Sequence, residues 1–235
     1  MSIRENLERV RERIATAARR ANRNPEEVQL LAVSKTFAAD SIREAYEAGQ
    51  RLFGENRVQE FAEKHPALAG LRGAQWHMIG HLQSNKAKHA VELFDAVDSL
   101  DSVALGDKLN QAAGKAKKLL PVLVELNVGG EESKSGLRPD SSELDELLDA
   151  AAGWEHLGIR GLMTVPPFDE NPERARPFFR VLAQYRDRIA ARNLPRVRME
   201  ILSMGMSHDF EVAIEEGSTC VRIGTAIFGA RPMKA

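Results

Sequence analysis

Cysteine is almost missing from this chain. The single Cys220 rules out a disulfide within the molecule and suits a reducing cytosol. Net charge is nearly missing too. Thirty-three Lys and Arg stand against 34 Asp and Glu, a formal charge of −1, so no overall field draws the chain to nucleic acid or to a membrane surface. No run approaches the ~18 apolar residues of a spanning helix. The charged, amphipathic N-terminus lacks the apolar stretch of a secretory signal, and Glu5, Glu8 and Glu12 do not suit a transit peptide. Linker-like and low-complexity tracts are absent. These absences describe a cytoplasmic chain without nucleic-acid or membrane partners, with residues 1–235 read as one domain and the 43% hydrophobic content sufficient for a sizeable core.

What is present alternates between two periods. The chain opens with an amphipathic helix. Ser2 and Glu5 have capping-box spacing, and Ile3, Leu7, Val10, Ile14 and Ala21 fall on one face. Strands are predicted near 28–35, 51–55, 74–80, 94–99, 121–128, 157–165, 197–204 and 220–228. Helices are predicted near 39–49, 56–64, 84–92, 101–118, 141–152, 171–192 and 207–216, with Pro177 kinking the penultimate one or marking its first turn. Repeated βα units with apolar strands imply a parallel sheet covered by helices. Eight of them in this length fit a single α/β (β/α)8 TIM barrel with an added N-terminal helix. The open doubly wound alternative usually carries a Gly-rich turn after its first strand, and Ser34-Lys35-Thr36-Phe37 is not one.

Lys35 closes the first apolar strand and is the first lysine of the chain; the seven basic residues before it are all arginine. A lysine held in apolar surroundings loses basicity and becomes the amine nucleophile of Schiff-base chemistry. Snorkelling to solvent is the alternative. At the ends of predicted strands 7 and 8 lie Ser203-Met204-Gly205-Met206-Ser207 and Arg222-Ile223-Gly224-Thr225. In barrels these two loops often hold a phosphate. Ser203, Ser207 and Thr225 offer hydroxyls, Gly224 offers an accessible backbone, and Ser207 is placed to cap the next helix. Arg222 shares a strand face with Gly224 and needs a partner inside a barrel, either an acidic side chain or a cofactor ring nitrogen. The polar segment Gly129–Gly136 follows strand 5, as a mobile lid or a solvated loop.

A lysine facing a phosphate site suggests pyridoxal 5′-phosphate (PLP). The run Trp76-His77-Met78-Ile79-Gly80-His81-Leu82-Gln83-Ser84-Asn85-Lys86 resembles the signature of the pyridoxal phosphate homeostasis protein family. Ala32-Val33-Ser34-Lys35, Phe53-Gly54-Glu55-Asn56, Ser203–Ser207 and Arg222–Gly229 resemble its other motifs in order. The resemblance spans nearly the whole chain. It implies a barrel like the N-terminal domain of alanine racemase, with PLP as a Schiff base on Lys35 and Arg222 facing the pyridine nitrogen. It further implies that Ser203, Ser207, Gly224 and Thr225 surround the phosphate, that Met204 also binds the cofactor, and that Asn56 and His77 line the ring. The implied role is intracellular vitamin B6 homeostasis, with other B6 vitamers and PLP-dependent apoenzymes as partners, a monomeric state and no catalysis.

Two enzymatic readings compete. In a PLP-dependent racemase or lyase, His77 or His81 would act as acid or base; His81 and Lys86 otherwise cap the next helix or face solvent. Alanine racemase uses a tyrosine from a second domain. The only tyrosines here, Tyr46 and Tyr185, fall in helical stretches, and few residues follow strand 8. In a phosphosugar enzyme, Lys35 would form an aldolase-type Schiff base with no PLP chromophore.

Overall fold

In the computed structural model, which describes residues 2–131 and 134–230, the strands close on one another. β1 (Gln29–Val33), β2 (Leu52–Glu55), β3 (Gln75–Met78), β4 (Ala96–Leu100), β5 (Leu120–Glu125), β6 (Leu157–Met163), β7 (Val197–Ser203) and β8 (Cys220–Ile223) form a closed barrel in chain order. β8 pairs in parallel with β1, Leu31 lying beside Arg222. The helices are α1 (Ile3–Arg20), α2 (Ala39–Glu47), α3 (Val58–Leu68), α4 (Ala87–Leu93), α5 (Val103–Lys115), α6 (Ser142–Ala150), α7 (Arg176–Ala191), α8 (Phe210–Glu215) and α9 (Thr225–Phe228). The architecture is the α/β barrel read from the sequence.

Most of the core lies between strands and helices, which follows from apolar residues on the outer strand face meeting the apolar stripe of each helix. Phe61 of α3 is the hub of one aromatic cluster, with ring centroids 4.9 Å from both Trp76 and Phe94. A smaller cluster of Leu31, Val33 and Cys220, with Leu52, Ile79 and Ile201 packed on it, stands apart from that core. Leu31 is in register with Arg222, and registered neighbours in a parallel sheet face the same side, so Arg222 also points into the barrel.

α1 covers the seam where β8 meets β1. The Ser2–Glu5 capping box forms, but the buried face is Leu7, Val10, Ile14, Ala17 and Ala18. Ala21 caps the helix end instead of joining that face. Arg13 pairs with Glu211 at 2.7 Å, and the Asn6 side-chain amide donates to the Ile227 carbonyl at 2.9 Å.

Among the boundaries that differ from expectation, three bear on the readings made of single residues. β8 stops at Ile223, because Gly224 (φ −112°, ψ −77°) leaves the extended region and its carbonyl accepts from Ile227 and Phe228 N–H, both at 2.9 Å. The apolar run after Gly224 is thus a helical turn, a case that periodicity cannot separate from a strand in so short a segment. The stretch after β6 begins as a 3₁₀ turn (Pro172–Ala175), and Pro177 sits in the first turn of α7 without kinking it. α8 starts at Phe210 with Asp209 at its N-cap, so Ser207 does not cap it.

Candidate functional site

The C-terminal ends of the strands surround a cavity of about 540 Å³, lined by Lys35, Asn56, Ser207, Arg222, Gly224 and Thr225, with Glu125, Lys134 and Phe168 among the other walls. This is the face on which barrel enzymes build their sites. Ser203 and Met204 are buried behind the lining, and neither is among the residues that form it. His77 is likewise not among them. Ser203 and His77 are each bonded to another buried side chain.

Lys35 is half-buried in a turn two residues beyond β1, between residues that are individually tethered. Ser34 Oγ donates to Glu55 Oε1 at 2.7 Å, and Thr36 N–H donates to Glu60 Oε1 at 2.6 Å. Lys64 Nζ binds Glu55 and Glu60, each at 2.9 Å, and donates to the Ser34 and Phe37 carbonyls at 3.3 Å. Thr36 adopts φ +69°, uncommon for a branched residue and sustained here by that network. Burial raises the Glu55 carboxyl above its ordinary range, and Lys64 and Ser34 oppose that shift. The turn presenting Lys35 is thus clamped by α3. Only the i, i+4 spacing of Glu60 and Lys64 hinted at this in the sequence.

Arg222 is 4% exposed and donates to Ser203 Oγ at 2.8 Å and to the Thr164 carbonyl at 2.7 Å. The Ser203 hydroxyl is therefore engaged in holding the guanidinium. Burial lowers the Arg222 pKa, with Cys220, Asp98, Glu125 and Asp209 opposing; a guanidinium remains protonated throughout. The Cys220 thiol is pushed up to about 12, by burial and then by Asp98, so it is neutral.

His77 Nδ1 lies 3.1 Å from Asp98 Oδ2. Burial disfavours its charged form, but Asp98 outweighs this and the net shift is upward. The ring is thereby committed to a buried carboxylate. His81 Nδ1 meets Asp101 Oδ2 at 3.0 Å, and His81 does line the cavity, at its exposed rim. Neither His81 nor Lys86 provides a side-chain cap to α4.

At the β7–β8 end, Gly205 holds φ +93°, and a Cβ there would lie 2.5 Å from Ala213 Cβ and 2.9 Å from Phe210 Cα. Only glycine fits a turn that presses on α8 while delivering Ser207 to the cavity. Ser207 Oγ accepts from Ala226 N–H at 3.4 Å, joining this turn to the one carrying Gly224 and Thr225. The segment after β5 is bound to the barrel where it is described; Glu132 and Ser133 lie outside the described residues. Leu137 N–H donates to the Glu125 carbonyl at 2.9 Å, and Lys134 Nζ to the Pro166 carbonyl at 3.0 Å. Lys134 and Ser135 line the cavity, so this segment is a wall of the site.

Residues 6–232 match the family described as alanine racemase, N-terminal domain. The chain is similar to the pyridoxal phosphate homeostasis protein of Aquifex aeolicus (strain VF5), 47% identical over 227 residues that cover 97% of each chain. It is 45% identical over 231 residues to the protein of that name from Escherichia coli (strain K12), again with 97% of each covered. Among solved structures, PipY of Synechococcus elongatus PCC7942 with PLP bound matches at a TM-score of 0.84 and 37% identity, covering 97% of this chain and 100% of that one. Alanine racemase of Clostridium difficile 630 shares the fold at a TM-score of 0.74 and 16% identity, over 99% of this chain and 58% of the racemase.

Proposed function

Because this chain belongs to the alanine racemase N-terminal domain family, and within it to the pyridoxal phosphate homeostasis proteins, we propose that it binds PLP as a Schiff base on Lys35 and serves in intracellular B6 homeostasis. One observation carries this reading. A clamped lysine after β1, two hydroxyl residues after β7 and β8, and a buried arginine on β8 all meet one cavity. That donor set fits the group. Lys35 brings a primary amine to the cavity, Ser207, Gly224 and Thr225 supply neutral donors suited to a phosphate, and Arg222 supplies a fixed cation. When bound, PLP supplies an aldehyde carbon that condenses with primary amines. Lys35 would provide that amine, Arg222 would face the ring nitrogen, and Asn56 would line the ring. Ser203 would act by fixing Arg222, and His77 through Asp98; Met204 would back the β7 turn.

The relatives are named for homeostasis and not for a reaction, which supports a role without catalysis. Tyr46 and Tyr185 are engaged elsewhere, Tyr46 donating to the Arg72 carbonyl at 2.8 Å and Tyr185 bonding to Asp140, and neither lines the cavity. Among the described residues no helix is long and apolar enough to cross a membrane. The reading extends to a monomeric, single-domain cytoplasmic protein that also meets other B6 vitamers and PLP-dependent apoenzymes.

The test is an absorbance scan of the protein with PLP, before and after borohydride, followed by peptide mass mapping. A visible band that reduction abolishes, with a pyridoxyl group on the peptide holding Lys35, is expected. Label elsewhere with Lys35 unmodified would refute the assignment.

A further inference from the structure

Across the barrel from Lys35, one wall of the cavity is a carboxyl with no assigned task. Glu125 ends β5, four strands around a closed eight-stranded barrel from β1, and both residues line the same space. It is 7% exposed, and its Oε2 atom is buried with no hydrogen-bond partner among the described residues. The backbone pins it there. Leu137 N–H donates to its carbonyl at 2.9 Å, and a Cβ on Gly136 would stand 3.0 Å from its Cγ, so the overlying segment closes it off from solvent.

The groups around it are mixed in sign. The turn after β4 brings Asp101, which is paired with His81. β8 brings Arg222, the overlying segment brings Lys134, and β6 places Met163 in register beside it. Burial, then Asp101, raise the Glu125 pKa to about 7, with Arg222 pulling it down. An orphaned buried oxygen loses the full value of its missing hydrogen bond. A ligand that fills the cavity can supply that partner. The phosphorylated aldehyde is itself an anion rich in acceptors, and an ionised carboxylate confined with it would repel it. A protonated carboxyl would instead donate to it.

We propose that Glu125 contacts the bound phosphorylated aldehyde on the wall opposite Lys35 and holds a proton while doing so. Filling the cavity then takes one proton from solvent, and emptying it returns one. This deepens the reading of the same site and rests on it.

The experiment measures the PLP dissociation constant from pH 6 to 9 for the wild type and Glu125→Gln, by equilibrium dialysis. Comparing the two profiles removes the shared titrations of PLP and Lys35. The wild-type constant should rise by up to about tenfold per pH unit above pH 7 relative to the variant. Parallel profiles would overturn the role of Glu125 while leaving the cofactor reading standing; no binding by either protein would overturn both. Should the variant fail to fold, carboxyl ¹³C NMR of the wild type at pH 7.5 decides. The Glu125 signal should move to its protonated position on adding PLP, and a signal unmoved by saturating PLP refutes the proposal.

Discussion

At the scale of single residues, the site consists of charged side chains held by partners that sequence reading did not pair. Lys64 shows it most clearly. Its ammonium is the cation bonded to the fully buried Glu55 carboxylate, and it also bridges the turn on both sides of Lys35. Lys64→Ala should destabilise the protein by about 3–5 kcal/mol, the usual result of orphaning a buried charge, as read from urea unfolding. Glu55→Gln in the same chain should recover part of that loss. Ser207→Ala and Thr225→Ala remove hydroxyls from the proposed phosphate end. A charge-assisted hydrogen bond contributes about 1.5–3 kcal/mol. Each change should therefore weaken PLP roughly tenfold or more in a binding titration, and pyridoxal, which lacks the phosphate, much less. Equal losses for both ligands would remove these residues from the phosphate end.

Glu125 also gives the apo-protein a pH signature. Its carboxyl rises from 4.5 to about 7 on folding. The folded state binds this proton more tightly than the unfolded state does. The resulting stability is complete below pH 4.5, is lost as pH rises to about 7, and changes no further above that. The wild type should lose on the order of 3 kcal/mol over this window relative to Glu125→Gln, measured by chemical denaturation at each pH. A constant difference between the two proteins would contradict the raised value.

At the scale of elements, the barrel was legible because its strands are short apolar runs separated by helix-period segments, and parallel order follows from that alternation. That Lys35, Asn56, Ser207, Arg222, Gly224 and Thr225 line the cavity was legible because each lies at or within a few residues of a strand's C-terminal end, where the chain reaches the barrel mouth. Glu125 ends its strand in the same way and could have been found by the same rule. Ser203 and His77 were not separable from the lining, since linear spacing cannot say that Ser203 bonds Arg222 or that His77 bonds Asp98. The end of β8 was missed because the four-residue run Thr225–Phe228 after a glycine reads equally as strand or helix. The β7 turn rests on one element-level demand, the +93° φ of Gly205 under α8. Gly205→Ala should push α8 and Ser207 apart, lowering stability by about 1–3 kcal/mol and weakening PLP in parallel, as followed by thermal melts and binding titration.

At the scale of the whole molecule, the described residues bring to the cavity two lysines, Lys35 and a Lys134 bonded to the Pro166 carbonyl, with a buried arginine and no tyrosine. Racemisation needs a positioned base on each face of the reacting carbon, and an arginine-paired pyridine is a poor electron sink. PLP-loaded protein incubated with L- and D-amino acids in D₂O should therefore show no Cα exchange near the usual enzyme range of ~1–10³ per second, by NMR and chiral analysis. Exchange at such a rate, abolished by Lys35→Ala, would restore the racemase reading.

The seam under α1 carries a consequence for synthesis. Asn6 and Ile227, joined across it, are 221 residues apart in the chain, and β1 finds its second neighbour only in β8. On a ribosome the earlier strands emerge as an open sheet, with Lys35 at an unclosed edge. At about 5–20 residues per second, roughly 10–40 s separate the addition of that lysine from the addition of Thr225. Through that interval the nascent chain carries the amine without the cup proposed to grip a phosphate beside it. Retention of PLP at the proposed site would therefore be a property that the molecule acquires only when its last strand comes home.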